Sequence, residues 1–416
     1  MKLSPKILLS GVIGNTLENY DYVLYANFAL TISKIFFPAG DLYNSLIATF
    51  GVFATGFLTR PIGALIFGHI GDKYSRKNAL SFSIILMSFP TSLIGLLPSY
   101  SEIGIFATLA LIIIRMMQGI SIGGETSGFM IYIMEVAYDQ NRKHLFGAIA
   151  LSSTALGIFF GFATVFIFNS YFVDVEYAWR IPFLISFPIG MVGFYIRSNL
   201  NETEEFQKLK SRNLLAKSPF IELFKEYKFR FFVICGLFIS VSIPFYTFFG
   251  FLVTFLIKII GYNELQVSQI YLASSFAFII FPFLSGFLSD RFGVGKILLF
   301  AISAFTVLVF PIFSLIVSKD FALTLSGCLL FIFVITLYQG SVPSLVIKIF
   351  PTRVRAIGTA LSFNIISAIF GGFTPLILTW LLKTTENNMI IPAYLAFSSL
   401  ITIVIIIISN KCKIFE

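Results

Sequence analysis

The chain has 416 residues, of which 57% are apolar and 12% charged, with a mean hydropathy of +0.92 and 52 phenylalanines. A soluble fold could not cover so much apolar side chain, and a disordered chain needs the opposite composition. The formal charge of +9 would suggest nucleic acid in a soluble protein, so its distribution along the chain decides what it means.

A helix crossing ~30 Å of hydrocarbon needs roughly 20 apolar residues. In chain order such runs fall at about 7–35, 44–70, 79–97, 103–134, 145–169 and 179–197, then at about 230–257, 267–288, 297–317, 322–347, 356–382 and 390–409. The expected fold is all-α and polytopic, with twelve transmembrane helices. Spans of this length, carrying Gly and Pro, argue for helices and against a β-barrel. Met1 to Pro5 offers no separate cleavable leader, so the first span is expected to target the chain.

Twelve spans put both termini on one side. The loops of that side hold 22 of the 29 basic residues, including Lys73, Arg76, Lys77, Arg142, Arg197, Arg291, Arg353 and Arg355. The opposite loops hold Lys34, Lys258, Lys319 and Lys383. The positive-inside rule therefore predicts cytoplasmic termini and accounts for the charge without nucleic acid. The three cysteines, Cys235, Cys328 and Cys412, show no metal-ligand spacing. No metal and no cofactor are expected.

The long polar stretch 198–229 divides the spans six and six, which predicts an N-terminal six-helix bundle (1–197), a cytoplasmic linker (198–229) and a C-terminal six-helix bundle (230–416). The halves repeat. Gly68-His-Ile-Gly71-Asp72-Lys73-Tyr-Ser75-Arg76-Lys77 after the second span returns as Gly286-Phe-Leu-Ser-Asp290-Arg291-Phe-Gly293 after the eighth. The two aspartates are 218 residues apart, and Arg142 and Arg353, each ahead of a Gly-x-x-x-x-Ser or Gly-x-x-x-Ser run, are 211 apart. Parallel repeats with a site at their interface suit alternating access. Glycine permits close helix approach, and an acid beside a helix N-terminus and a basic cluster can latch one side. The candidate cytoplasmic gate is Gly68, Asp72, Lys73, Arg76, Lys77, Asp290 and Arg291, with Arg142, Arg353 and Arg355. The bland alternative is topogenic charge plus helix capping. Ser75 stands where the repeat has glycine.

These residues resemble the major facilitator superfamily. Within it the chain is similar to the metabolite:proton symporter family, and most to its proline/betaine transporters. The resemblance rests on Gly14-Asn-Thr-Leu-Glu18-Asn-Tyr-Asp21, Arg60-Pro61-Ile-Gly63, Arg115-Met-Met-Gln118-Gly119 with Gly123-Gly124-Glu125, Trp179-Arg180-Ile-Pro182, Phe350-Pro351-Thr-Arg353-Val-Arg355 and Phe363-Asn364-Ile. It departs at Asn19, where the family carries Trp, and at Thr126, where it carries an aromatic residue. The C-terminal coiled-coil tail of some osmosensing relatives has no counterpart before Glu416, so osmotic control by such a tail is not expected.

Ionisable residues inside a membrane are costly and mark function by default. Glu18 and Asp21 in span 1, Arg60 in span 2, and Arg115 and Glu125 in span 4 meet that description. Glu18, Asp21 and Tyr25 share one helical stripe, and Gln118 shares a face with Glu125. A carboxyl group in a low-dielectric cavity is suited to taking up a proton, and a neighbouring arginine to releasing it. The resemblance implies such proton coupling for Glu18, Asp21 and Glu125, with Arg60 and Arg115 as partners. The alternative is a static salt bridge tying spans 1, 2 and 4. Gln118, Tyr25, Tyr132 and Asn364 are the further candidates for contact with solute or charge. Gly119 and Gly123, like Gly157 and Gly161, read as packing positions.

Two interior cations against three anions favour a zwitterion or cation over a dicarboxylate. Aromatic faces on spans 1, 4, 7 and 10 can hold a quaternary ammonium. Neither a His-Glu-x-x-His nor a Walker A loop is present, so neither an enzyme nor an ATP-driven pump is expected. The expected activity is proton-gradient-driven uptake of a small zwitterionic osmolyte, such as proline or glycine betaine, across a bacterial inner membrane. The expected partners are the solute, protons and the lipid bilayer, with the monomer as the working unit. The alternatives are proton symport of an organic acid such as 2-oxoglutarate, or a non-transporting sensor.

Overall fold

The computed structural model describes residues 5–37, 42–137, 143–172, 175 and 177–411. Every regular element among them is helical. The first expected span is α1 (Pro5–Asn27) with α2 (Ala29–Phe36), the second α3 (Leu42–Lys73) and the third α4 (Arg76–Leu96). A short turn, α5 (Tyr100–Ile103), leads to α6 (Ile105–Ala137) and α7 (Lys143–Tyr171). The sixth expected span is divided into α8 (Arg180–Leu184) and α9 (Ser186–Ser198). The polar stretch then folds into two short helices, α10 (Glu204–Ser211) and α11 (Pro219–Glu226).

The later spans are less regular. The seventh is α12 (Lys228–Tyr246), a π-helical turn (Thr247–Phe251), α13 (Leu252–Phe255) and a second π turn (Leu256–Ile260). Next come α14 (Glu264–Phe292), α15 (Val294–Ile316) and α16 (Phe321–Gln339). The chain breaks at Gly340 and restarts as α17 (Val342–Ile349), with Pro343 in its first turn, where a missing N–H costs nothing. The eleventh span is α18 (Arg355–Ile366), a π turn (Ser367–Gly371) and α19 (Gly372–Thr385), and α20 (Ile390–Lys411) follows. Among the described residues, ten helical runs are long and apolar enough to cross a membrane. Helices α1 to α3 occupy the other two expected positions.

Close approach depends on glycine where it was expected. A Cβ on Gly119 would lie 2.1 Å from the Gly56 carbonyl oxygen, and one on Gly123 2.3 Å from that of Arg60, so α6 seats directly on α3. Gly157 meets the Thr16 carbonyl in the same way and seats α7 on α1. Ser75 is no defect in the repeat: its Oγ accepts from the Asn78 N–H at 3.0 Å and caps α4. Gly293, its counterpart, turns the chain between α14 and α15 at φ +91°.

Candidate functional site

A cavity of about 110 Å³ is bounded by α1, α3, α6 and α7 on one side and by α12, α16, α17, Phe363 and Ser367 on the other. Its walls are mainly apolar. Two of the expected charges face it, Glu18 from α1 and Arg60 from α3, both buried. Glu18 Oε2 accepts from the Thr126 hydroxyl at 2.8 Å, and no basic side chain lies within ion-pairing distance among the described residues. Arg60 donates to the Tyr246 hydroxyl at 3.0 Å and lies 4.2 Å from the centre of the Phe57 ring, while its Nε is buried without a hydrogen-bond partner among the described residues. Tyr246 ends α12, and the π turns at Thr247 and Ser367 flank it. Gly371 leaves room for its ring, which a Cβ there would meet at 2.7 Å. Tyr22 and Phe245 stand edge-on to Tyr246, at 6.2 and 5.2 Å between ring centres.

Asp21 and Arg115 are joined to each other, one turn beyond the cavity wall. Arg115 donates to Asp21 at 2.7 Å and to Gln118 at 2.6 Å, and Gln118 donates to Asp21 at 2.9 Å and to Thr91 at 2.7 Å. Tyr25 covers the cluster, its ring centre 3.9 Å from the Arg115 guanidinium and its hydroxyl donating to the Thr49 carbonyl at 3.2 Å. This set ties span 1 to spans 3 and 4. Gln118 therefore serves Asp21 and not Glu125. A void of about 20 Å³, lined by Asp21, Arg60 and Arg115 among others, separates it from the cavity.

Glu125 departs from expectation. Neither Arg60 nor Arg115 pairs with it. Arg197 does: Nη1 donates to Glu125 Oε2 at 2.8 Å, and Nη2 pairs with Oε1. Ser83 also donates to this carboxylate, at 2.5 Å. Arg197 was counted among the loop charges but is fully buried. It stands in the last turn of α9 and turns inward, reaching the carbonyls of Ser10 at 3.0 Å and Leu80 at 2.5 Å. Gly14 makes the pair possible, since a Cβ there would lie 2.1 Å from Glu125 Oε1. Two further candidates lie outside the cavity wall. Tyr132 donates to the Asn201 carbonyl at 2.5 Å, beneath the linker, and Asn364 donates to the Gly123 and Ala360 carbonyls at 2.9 and 2.8 Å, pinning α18 to α6.

The repeated loops meet each other's half of the chain. The Asp72 carboxylate, at the end of α3, accepts from the backbone N–H groups of Ala356 (3.0 Å) and Ile357 (2.8 Å) in the first turn of α18. The Asp290 carboxylate, at the end of α14, accepts from those of His144 (3.0 Å) and Leu145 (3.1 Å) in the first turn of α7. Each acid thus caps a helix from across the linker, and not its own neighbour as the local motif suggested. His144 is buried there. Of the basic side chains beside Asp72, Arg76 alone pairs with it among the described residues; Lys73 lies over Tyr74, Lys77 is half-buried, and the exposed Arg291 lies over Phe292.

Beneath these candidate gate loops stands a carboxylate the sequence reading passed over. Glu135 is buried and takes Arg355 at 2.8 Å, Arg76 at 3.4 Å and the Thr203 hydroxyl at 2.7 Å. It sits at the end of a long apolar run, where a lone acid reads as an interfacial charge. Arg353 pairs with Glu222 and lies 3.5 Å from Glu226, so α11 is strapped to the segment before α18. Arg142 lies outside the described residues. Gly119-Ile-Ser121-Ile-Gly123 has the spacing of a hydrolase nucleophile elbow, but Ser121 is in mid-helix and donates to the Ser83 carbonyl at 2.6 Å.

Residues 21–375 match the family model described as Major Facilitator Superfamily. The chain is 34% identical over 403 residues to a proline/betaine transporter of Escherichia coli (strain K12), covering 94% of this chain and 80% of that one. It is 32% identical over 402 residues to the glycine betaine/proline/ectoine/pipecolic acid transporter OusA of Dickeya dadantii (strain 3937), with coverage of 94% and 79%. Among solved structures, the proton:xylose symporter XylE superposes with a TM-score of 0.72 at 14% identity, over 97% of this chain and 94% of that one. At that identity the likeness is one of fold.

Proposed function

The chain belongs to the major facilitator superfamily of membrane transporters, and we propose that it takes up a small zwitterionic osmolyte, such as proline or glycine betaine, together with protons. In this reading, twelve spans cross the inner membrane of a bacterium with both termini in the cytoplasm. Two six-helix halves (1–197 and 230–416), joined by the linker 198–229, rock about the cavity in alternating access.

The observation that carries the substrate class is the pairing of opposite charges in one cavity. Arg60 brings to the cavity a guanidinium suited to a carboxylate. Glu18 and the tyrosine faces supply a negative wall for the cationic nitrogen. One cation and one anion leave no excess positive charge for a dicarboxylate. The relatives' names point to the same solutes. Glu18 is the proposed proton carrier because it faces the cavity without an ion-pair partner. Asp21 and Glu125, both paired here, would join the coupling only in a conformation that releases Arg115 or Arg197.

The test is uptake in proteoliposomes under an imposed inward proton gradient, with labelled proline, glycine betaine and 2-oxoglutarate in parallel. Saturable uptake of a zwitterion that collapses with the gradient is the expected result. Glu18→Gln should abolish accumulation but retain counterflow of the solute. Uptake of 2-oxoglutarate alone would overturn the substrate class, and full gradient-driven accumulation by Glu18→Gln would overturn the coupling role.

A further inference from the structure

The linker helix α11 has two apolar faces. Pro219 and Leu223 are buried, and Glu222 and Glu226 turn to Arg353. Phe220 and Ile221 keep 43% and 63% of their surface exposed. Three exposed lysines frame them: Lys217 before the helix, Lys225 in its last turn and Lys228 just after it. Among the described residues, no acid lies within ion-pairing distance of these three.

The position of α11 in the fold indicates what covers this face. Tyr227 alone separates it from α12. The apolar run that α12 opens extends over 33 residues, Lys228–Ile260. That is about 50 Å at 1.5 Å per residue, against ~30 Å of hydrocarbon. The run overhangs the hydrocarbon, and Lys228 and Arg230 keep its first turn among the headgroups. The exposed face of α11 is continuous with the lipid-facing surface of α12 through a row of rings. Phe220 lies 5.0 Å from Phe224, Phe224 5.0 Å from Phe231, and Phe231 5.6 Å from Phe232, between ring centres. Phe229 and Phe232 are exposed on α12, where the neighbour of a membrane span is lipid. An apolar helix face edged by lysines at headgroup level has the make-up of a segment lying in the plane of the interface. The lysines favour anionic over neutral phospholipid.

We infer that α11 is an in-plane lipid anchor. Phe220 and Ile221 enter the leaflet on the linker side, and Lys217, Lys225 and Lys228 hold anionic phospholipid headgroups. The opposite face of the same helix binds Arg353, so lipid docking also fixes the linker against the segment before α18. Each lysine strengthens docking by about fivefold, and added salt weakens it.

The test is the depth of a nitroxide at Ile221→Cys, with the three native cysteines replaced. The full chain is placed in nanodiscs of phosphatidylcholine alone or with about 30% phosphatidylglycerol, enough to give an anionic surface. A label at Gln207→Cys, on the exposed side of α10, reports water. With phosphatidylglycerol present, the label at 221 should be reached by oxygen and shielded from a water-soluble nickel chelate, and the label at 207 should show the reverse. Nickel collision at 221 should be at least about fivefold lower than in phosphatidylcholine alone. Replacing Lys217, Lys225 and Lys228 together by Gln should remove most of that difference, as should about 0.5 M salt. Nickel access at 221 equal to that at 207 in the anionic discs would put the face in water and overturn the inference. Equal protection in both kinds of disc would overturn the choice of anionic lipid. Loss of both oxygen and nickel access, with spin–spin broadening, would seat a second copy of the chain there and overturn it too. Should the triple lysine variant not fold, the salt titration of the parent still decides. The readout involves no solute, so its failure leaves the transport reading standing.

Discussion

Between Ser10, Leu80 and Glu125 the guanidinium of Arg197 uses all three of its nitrogens. A buried pair of this kind is weak evidence for net stability, but breaking it is costly because one charge is left buried and alone. Glu125→Gln and Arg197→Ala should each destabilise the protein by about 3–5 kcal/mol, read as an earlier thermal transition in detergent. Glu125→Leu combined with Arg197→Met should recover most of that loss. If the double variant is as unstable as either single one, the pair contributes more than mutual neutralisation. The charged positions were legible in the sequence because ionisable residues in apolar runs stand out. Their pairing was not. Arg197 sits at a helix end, where its side chain can turn toward water or inward, and no periodicity distinguishes the two. Glu18 and Arg60 were both flagged, yet that these two face the cavity while Asp21 and Glu125 stand behind its wall follows only from the helix rotations.

The helices themselves were the most legible level, since a run long enough to span hydrocarbon must satisfy its backbone internally. The irregular turns beside Tyr246 were not, because π spacing leaves no signature in a uniformly apolar run. The repeated Gly and Asp loops announced two equivalent ends, though not what each end touches. Each acid caps a helix of the other half, and each glycine admits that helix. A Cβ on Gly68 would lie 2.7 Å from the Ile357 Cα, and one on Gly286 2.8 Å from the Leu145 Cα. Backbone cannot yield as a side-chain tip can, so Gly68→Ala should hold α3 away from α18. Asp72→Ala should lose a helix cap worth about 0.5–2 kcal/mol, a shift of about 2- to 30-fold toward opening, and the buried Arg76 pair in addition. Ser127 borders both the cavity and the small void under the gate. With the three native cysteines replaced, Ser127→Cys should react faster with a thiol reagent applied from the gate side once either change is present. Gly295→Ala, with nothing within 4 Å of its Cβ, is the control and should change nothing. Unaltered reactivity in both gate variants would mean that these contacts do not hold the gate closed.

At the scale of the whole molecule the same basic residues serve two purposes. Counted along the sequence they gather on one side and predict orientation. In the structure Arg76 and Arg355 are buried around Glu135, and Arg353 binds the linker helix α11. The linker is attached to both sets of helices at once, through Tyr132 and Glu135 before it and Thr352 and Arg353 after it. Opening at this end must therefore undo contacts of unequal strength. The partly exposed Arg353 pair is worth about 0–1 kcal/mol, and reversing Glu222→Arg should move the closed-to-open balance by fivefold at most. Exchanging both charges, Glu222→Arg with Arg353→Glu, should restore it. Glu135 offers no such tolerance. Glu135→Gln strands the buried Arg355 guanidinium and leaves Arg76 with Asp72 alone, and a cost of about 3–5 kcal/mol would leave the gate mostly open. The Ser127→Cys reporter should then be labelled rapidly from the linker side and slowly from the side of Lys319. Labelling from the Lys319 side alone would invert the proposed orientation. A Glu135→Gln variant as closed as the wild-type protein would show that the aspartate caps hold the gate without this buried cluster.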